Sequence, residues 1–397
     1  MSAADAMQRL KDAAWLRAPD TQRLFALLDG AGGKTRAVGG IVRDTLLGLE
    51  RANAEIDFAT EFEPNEVMRR AGAAGVPVYP TGIEHGTVTL RIGELVAEVT
   101  TLRQDVETDG RHARVKFGTD WRRDAERRDF TLNALYLGAD GALFDPLGGV
   151  DDCLGGVVRF IGDADQRIAE DRLRVYRFFR FSASHGREVL DAAGLAAVTR
   201  AAGTLGELSG ERIGAEMRRM LDLRKVARTI AAMTTAGILA FPADVVGWLQ
   251  SYEHHARKPN LNARFALLVE SLGSAELKVS WRLSNDEIAS AEATLSAARL
   301  LIAFHVNEAA YRYPAALADA VEIAATLAGW TEAGKAAVLQ QLATIDVPRF
   351  PLGGDDLLQR GLTPGPKLGA ELERLERDWI ASNFRLDREQ LLATLKR

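Results

Sequence analysis

The sequence predicts an α+β protein in which an N-terminal α/β head is followed by an all-helical neck, body and tail. Three observations carry this prediction. Short apolar segments typical of strands recur between about residues 35 and 163. Glycine turns and helical stretches separate them. Beyond residue 163 the strand patterns stop, and Ala-, Leu-, Arg- and Glu-rich segments repeat apolar residues at three- and four-residue spacing.

The elements divide the chain into five regions. Residues 1–34 are an N-terminal helical segment, 35–162 the head, 163–230 a helical neck, 231–345 a helical body and 346–397 a helical tail. Strands are predicted at 35–38, 55–60, 87–90 and 95–99. Helical spacing is clearest at 213–223, 264–272 and 286–301. Pro259 and the segment 350–354 are the best later breakpoints.

The composition is that of a globular chain with more than one core. The 397 residues are 47% hydrophobic and 26% charged, with a net charge of −5. A nucleic-acid partner must therefore be held by local basic patches rather than by a uniformly basic surface. A single cysteine, Cys153, excludes an internal disulfide and suits a reducing cytoplasm. No signal peptide or membrane span is predicted, so we expect a cytoplasmic protein without a membrane partner.

The first candidate site is the junction between the first predicted strand and a helix. Gly39 and Gly40 stand at this junction, and Gly48 is expected to end the helix. Small residues let backbone N–H groups approach an anion at a helix N-terminus, where Arg43 can add a charged fork to a triphosphate. Taken alone, a Gly-Gly turn favours the alternative of a tight turn with a surface arginine.

A set of acidic residues follows. Glu55 and Asp57 lie two apart on a predicted strand, so both carboxylates project from one face and can hold one Mg²⁺. Glu98 lies in an apolar strand, where burying an unpaired carboxylate is costly unless a cation is near. The alternatives are a solvent-facing edge strand for the pair and a salt bridge to Arg103 for Glu98. The glycines and carboxylates together are what metal-assisted nucleotidyl transfer from an NTP requires.

Here the sequence resembles the class II tRNA nucleotidyltransferases, the family of bacterial CCA-adding enzymes and poly(A) polymerases. Six ordered motifs in the first half of the chain carry the resemblance, at residues 39–48, 55–60, 82–88, 98–103, 127–134 and 170–181. The family usually has Asp-x-Asp where this chain has Glu55 and Asp57. Glutamate keeps the charge but moves it out by one methylene, and we expect activity to survive.

The resemblance implies that Arg127, Arg128 and Asp129 recognise the ribose and triphosphate of the nucleotide. An arginine fork suits phosphate, and a carboxylate can accept a hydrogen bond from a 2′-hydroxyl, so ribonucleotides could be preferred. The three residues are predicted to ride on a helix that also bears Arg123 and Asp124 and has Asp120 as its N-cap.

The resemblance further implies that Asp171 and Arg174 pair with the incoming base. On a predicted helix these two residues are neighbours, and Glu170 can brace Arg174 from four residues away. An acceptor held beside a donor fits cytosine and adenine and mismatches uracil and guanine.

Arg177 and Arg180 continue the same spacing, and the family includes both near the nucleotide. Arg177 could touch phosphate or brace Arg174. Helix geometry puts Arg180 nearly opposite Asp171, which favours a peripheral or structural role.

The expected function is Mg²⁺-dependent addition of C, C and A to the 3′ end of tRNA from CTP and ATP, with release of pyrophosphate. Glu55 and Asp57 would carry the metals, with Glu98 as a third catalytic acid. The polar segment 103–114 is similar to the family's flexible loop, which implies complete CCA addition. The tail resembles tRNA-binding tails and would grip the acceptor arm. A poly(A) polymerase or A-adding enzyme, and a catalytically silent tRNA-binding protein, remain the alternatives.

Overall fold

The computed structural model describes residues 3–49, 55–109 and 112–395, and of residues 104–109 and 112–115 it describes the backbone alone. The chain forms two compact units. The first comprises Met1–Glu216 and Thr229–Ala240, and the second comprises Met217–Arg228 and Phe241–Arg397. The first unit contains the strands and the second is helical, so the α+β prediction is confirmed. The boundaries of the predicted neck, body and tail stay predictions.

The strands are β1 (Thr35–Val38), β2 (Ile56–Thr60), β3 (Val78–Gly82), β4 (Thr87–Ile92), β5 (Leu95–Thr101), β6 (Arg103–Asp109), β7 (His112–Phe117), β8 (Tyr136–Leu137) and β9 (Leu143–Phe144). The helices up to residue 201 are α1 (Ala3–Asp12), α2 (Ala14–Arg17), α3 (Pro19–Leu27), α4 (Gly40–Leu47), α5 (Pro64–Ala73), α6 (Trp121–Glu126), α7 (Gly149–Gly155), α8 (Ala164–Glu170), α9 (Arg174–Ser184) and α10 (Ala192–Ala201).

The later helices are α11 (Gly210–Leu221), α12 (Ala227–Thr235), α13 (Ala243–His255), α14 (Leu261–Leu272), α15 (Ser274–Ser280), α16 (Asn285–Ile302), α17 (Val306–Arg312), α18 (Leu317–Ala328), α19 (Glu332–Thr344), α20 (Gly354–Gln359), α21 (Pro366–Ala381) and α22 (Arg388–Ala393). Helices α11, α14 and α16 confirm the three helical segments predicted from apolar spacing. Within the described ranges, no helix is both long and apolar enough to cross a bilayer.

One mixed sheet organises the first unit. In the described part of the chain its order is β3-β4-β5-β2-β1-β8-β9, with β2 and β5 parallel and the other neighbours antiparallel. Helix α3 packs on one face, where Phe25 meets Phe58 of β2 with ring centroids 5.2 Å apart. Alternate residues of β2 point to the other face, which therefore carries Asp57.

The predicted strands are found with small shifts at their ends. β2 begins at Ile56, so Glu55 precedes the strand rather than lying in it. β4 and β5 run on to Ile92 and Thr101. The segment 103–114, expected to be a loop, contributes instead to the antiparallel ribbon of β6 and β7, while residues 110 and 111 lie outside the described residues.

In the second unit a buried arginine ties helix ends together. The guanidinium of Arg264 in α14 is fully buried and donates to the carbonyl oxygens of Leu221 and Leu223, each at 2.5 Å. It also donates to Glu253 of α13 at 2.8 Å. A buried charge requires such compensation, because an unpaired guanidinium in a core costs several kcal/mol. The end of the chain has its own apolar cluster around Trp379.

Candidate active site

The glycine turn lies where the sequence places it. β1 ends at Val38 and α4 begins at Gly40, with Gly39 between them at φ 75° and ψ −124°. This left-handed backbone favours glycine. The Gly39 N–H donates to the Leu135 carbonyl at 3.1 Å, and the Gly39 carbonyl accepts from the Arg43 N–H at 3.0 Å. The N–H groups in the first turn of α4 have no acceptor within the helix, so they can receive an anion.

The carboxylates meet beside this turn. Strand register puts Asp57 opposite Val38 on one side and opposite Glu98 on the other. Partial shielding from solvent, together with the nearby charges of Glu98 and Glu55, raises the pKa of Asp57 to about 6 against the opposing effect of Arg128. Glu98 is exposed, so the expectation that it is a costly buried acid was wrong. It shares the open face of the sheet with Asp57.

The concentration of negative charge around Asp57 suits a divalent cation. Loss of solvent and, after it, repulsion from Glu98 and Glu55 raise the pKa of Asp57, and a bound cation would offset both effects. Among the described residues, no three His, Cys, Asp or Glu side chains are grouped as a complete metal site. Mg²⁺ is commonly held by one or two carboxylates while substrate phosphates and water supply the remaining oxygens. Glu55 and Asp57 suit that mode.

A buried aspartate holds the arginines of the site. Asp124 is fully buried and accepts from Arg127 Nε at 2.7 Å, from Arg128 Nη2 at 3.2 Å and from the Tyr136 hydroxyl at 2.9 Å. Burial alone would raise the pKa of Asp124, but the two guanidinium groups outweigh it and hold the pKa below its usual value. Arg128 Nη1 lies 3.8 Å from where a Cβ on Gly39 would stand. Asp124 thus aims Arg128 at the glycine turn.

The segment Arg127, Arg128 and Asp129 follows a helix rather than riding on it, because α6 ends at Glu126. Asp129 Oδ1 accepts from the Phe130 N–H at 2.9 Å and from Asn133 Nδ2 at 3.0 Å. Its Oδ2 accepts from Arg177 Nε at 2.7 Å and from Arg177 Nη2 at 2.6 Å. A carboxylate has about four acceptor positions. All four are occupied, so Asp129 is not available to a ribose hydroxyl in this state.

Arg43 is also engaged within the protein. Its side chain is nearly buried and donates to Asn133 Oδ1 at 2.6 Å and to Asp44 Oδ1 at 2.8 Å. His185 Nε2 lies 3.0 Å from the same Asp44 oxygen. Burial lowers the pKa of His185 despite this carboxylate. Arg43 therefore connects α4 to Asn133 and Asp129 rather than projecting as a surface arginine.

Two further arginines complete this polar network. Arg177 pairs with Asp129 and lies 3.8 Å from Glu216 Oε1, while Arg180 Nε donates to Glu216 Oε2 at 2.5 Å. Glu216 itself is buried. Arg177 thus braces Asp129 instead of Arg174, and Arg180 joins α9 to α11. Asn133 and Glu216 were missed because single polar residues carry no periodic signal.

Asp171 and Arg174, the pair predicted to recognise the base, are arranged differently from the sequence prediction. Asp171 caps the end of α8 in extended conformation, and α9 begins at Arg174, so the two residues are not on one helix. Asp171 Oδ1 and Oδ2 accept from Arg212 Nη2 at 3.1 and 2.9 Å. Glu170 Oε2 accepts from Arg174 Nη1 at 2.8 Å, as predicted. Arg212 lies 41 residues from Asp171 and had no local sequence signal.

Hydrogen bonds to backbone carbonyls connect the Glu170–Arg174 region to the segment that contains Arg127 and Arg128. The nearly buried Arg167 donates to the carbonyls of Arg127 and Arg128, and its Nη1 also contacts Glu170. Arg174 donates to the Arg167 carbonyl at 2.6 Å. The residues predicted to contact the phosphates and the base are therefore held in one hydrogen-bonded assembly.

The arrangement combines an anion site, a repelling carboxylate group and a donor–acceptor pair. These are the parts needed to hold a triphosphate with a cation and to select its base. The described residues supply them from one unit, and the sequence-predicted positions 39, 40, 55, 57, 98 and 128 come together around the neighbouring inner strands β1, β2 and β5 of the sheet.

Comparisons with known proteins agree with a site that holds a nucleotide. Residues 35–159 match the family described as the Poly A polymerase head domain. The chain is 32% identical to the mitochondrial CCA tRNA nucleotidyltransferase 1 of Homo sapiens, covering 96% of this chain and 93% of that protein. It is 30% identical to the CCA-adding enzyme of Limosilactobacillus fermentum, covering 93% and 94%.

Solved structures share the fold. The Bacillus stearothermophilus CCA-adding enzyme in complex with CTP superposes with a TM-score of 0.76 at 25% identity, covering 95% of this chain and 96% of that one. The Thermotoga maritima CCA-adding enzyme complexed with tRNA superposes with a TM-score of 0.67 at 18% identity, covering 100% and 99%. The second likeness shows the fold alone.

Proposed function

This chain belongs to the family of CCA tRNA nucleotidyltransferases, and we propose that it adds C, C and A to the 3′ end of tRNA from CTP and ATP, releasing pyrophosphate. The observation that carries the proposal is the repelling carboxylate pair of Asp57 and Glu98 set beside the Gly39 turn. The family is one of nucleotidyltransferases. The reaction forms a bond from the RNA 3′-oxygen to the α-phosphorus of the nucleotide and breaks the bond to pyrophosphate.

We propose Mg²⁺ as the cofactor, held by Glu55 and Asp57, which fit it as described above. When bound, such an ion polarises phosphate oxygens and increases the acidity of the attacking hydroxyl. Glu98, which lies opposite Asp57, would accept the hydroxyl proton in this proposal. Gly39 and Gly40 would receive phosphate at the start of α4.

Arg128 would add a charged donor at the same phosphates, since it already points at the glycine turn. In this proposal, Arg43 and Arg127 hold neighbouring groups of the site in position. Arg43 joins α4 to Asn133, and Arg127 shares Asp124 with Arg128. Asp129 supports the site through Arg177.

Base choice would rest on Asp171 and Arg174. Asp171 Oδ2 accepts one hydrogen bond, from Arg212, among the described residues, which leaves an acceptor position for the amino group of cytosine or adenine. Three of the five N–H groups of Arg174 are used by Glu170 and by carbonyls of the described chain. The others can donate to the ring nitrogen of the same bases.

We propose that residues 346–397 contact the tRNA acceptor arm, and that the protein is cytoplasmic. The lone Cys153 is buried and unpaired, which supports a reducing compartment.

The test is incorporation on tRNA transcripts that lack the last three nucleotides. Purified protein with Mg²⁺ should add two C residues from CTP alone and stop after C-C-A with CTP and ATP together. Long A tracts would instead identify a poly(A) polymerase, and addition only to transcripts ending in C-C would identify an A-adding enzyme. Tight tRNA binding without any extension would mean that the site is silent.

A further inference from the structure

The outer face of strands β5, β4 and β3 is exposed next to the carboxylates. Along β4, Val88, Leu90 and Ile92 are buried while Thr87, Thr89 and Arg91 point the other way. Along β5, Val96 and Glu98 alternate with buried Ala97 and Val99 in the same manner. The exposed side chains of both strands share the face that carries Asp57.

Register makes this face one continuous row. Asp57 stands opposite Glu98, Glu98 opposite Thr89, and Thr89 opposite Tyr79. Directly opposed residues point to the same side of a sheet, so the row crosses four strands on one face. Tyr79 is 48% exposed and Val96 is 56% exposed. The row leads from the carboxylates to an accessible aromatic ring.

Hydroxyl groups hold the face in shape. Thr81 Oγ1 lies 2.7 Å from Thr89 Oγ1, and Thr87 Oγ1 lies 2.9 Å from Thr100 Oγ1 across the next strand pair. These cross-strand pairs fix the strands in register. The face therefore offers hydroxyls, one arginine and one aromatic ring.

The geometry of the reaction decides which substrate lies here. In phosphoryl transfer the attacking and leaving oxygens stand roughly in line, on opposite sides of the phosphorus. The leaving pyrophosphate belongs with Gly39 and Arg128, which lie on the β1 side of Asp57. The attacking hydroxyl must then approach from the β5 side.

We propose that the outer face of β5, β4 and β3 binds the single-stranded 3′ end of the RNA primer, with Tyr79 stacking on a base and Arg91 contacting a phosphate. This inference rests on the proposed function. Three steps between strands separate Asp57 from Tyr79, or about 14 Å at 4.8 Å per step. Stacked nucleotides rise about 3.4 Å each, so Tyr79 meets a base some three or four nucleotides from the 3′ end.

Steady-state kinetics test the stacking contact. Tyr79→Ala should raise the KM for tRNA about tenfold, the scale of a lost base–aromatic stack, and leave kcat and the KM for CTP unchanged. Tyr79→Phe keeps the ring and should behave as the wild type. An unchanged KM for tRNA in Tyr79→Ala, or an equal loss in Tyr79→Phe, would overturn the stacking role.

The salt dependence of tRNA binding tests Arg91. Arg91→Ala should make the slope of log K against log salt shallower by about 0.7, as for one lost phosphate contact on a single strand. Arg23→Ala is the matched control, because Arg23 is exposed on α3, which packs on the opposite face of the sheet. Equal slopes for the Arg91 and Arg23 variants would contradict the phosphate contact.

A crosslink separates this inference from the proposed function. A tRNA transcript ending in C-C, with 4-thiouridine as its third nucleotide from the 3′ end, should crosslink to residues 78–91 of the wild-type protein. Crosslinking there without nucleotide addition would sustain the binding face and refute the activity. Nucleotide addition with crosslinks confined to other segments would sustain the activity and refute the binding face.

Discussion

Replacing Asp57 with asparagine should stabilise the protein while removing its activity. At neutral pH the Asp57 carboxylate is ionised beside Glu98 and Glu55, and its pKa is raised from 3.8 to about 6. If the whole pKa shift of Asp57 appeared in the free energy of unfolding, it would correspond to about 3 kcal/mol. Asp57 is shielded from solvent only in part and keeps exposed surface, so solvent screening reduces the expected gain from Asp57→Asn to about 1 kcal/mol.

The sign of the pH dependence follows from the raised pKa. The folded protein favours protonated Asp57, so this preference stabilises the fold fully below about pH 4 and is lost as pH rises through about 6. The variant never bears the charge. Its advantage over the wild type should therefore be largest at pH 8 and vanish near pH 4.

Thermal unfolding in EDTA at several pH values measures this difference. A gain of about 1 kcal/mol should raise the midpoint by about 2–4 °C at pH 8. Adding Mg²⁺ should narrow the difference, because a cation that binds the native carboxylates stabilises the wild type alone. CTP incorporation should fall at least a thousandfold. A variant that is no more stable than wild type at pH 8, or a gain that persists at pH 4, would refute the reasoning.

Three further outcomes are expected. Asp124→Asn should lower the free energy of unfolding by about 3 kcal/mol, because it leaves two guanidinium groups without their buried carboxylate, and urea titration measures it. The same variant should raise the KM for CTP, and an unchanged KM would separate Asp124 from the phosphate site. Asp171→Ala should remove discrimination of C and A against U and G, whereas Arg212→Ala should retain it; misincorporation assays compare them. EDTA should abolish incorporation but leave tRNA binding intact in a filter assay, and loss of both would argue against a metal confined to catalysis.

Local patterns predicted the head strands and the glycine turn because each depends on neighbouring residues. β1 is found at the predicted residues, and α4 ends at Leu47 with Gly48 as its C-cap at φ 68°. Period-two alternation was sufficient for β4 and β5. The short strands β8 and β9, of two residues each, are too brief to produce a periodic signal.

Polar partners at long range could not be predicted. Helical spacing placed Asp171 and Arg174 on one helix, but the helix breaks between them and Asp171 finds Arg212 instead. Asp124 was placed on the predicted helix without a role, yet it is buried and accepts a hydrogen bond from Tyr136. Its spacing of three and four residues from the two arginines was the available signal. Only tertiary packing decides which charges are buried.

The first unit is not a continuous stretch of sequence. It ends at Glu216, resumes at Thr229 and ends again at Ala240. A gene fusion or domain swap with a single junction in this region therefore cannot transfer the catalytic unit whole. A breakpoint after residue 216 omits the returning segment, including the Thr229 hydrogen bond to Glu188 at 3.0 Å. The first unit and the intervening sequence segment Met217–Arg228 are therefore expected to be inherited together.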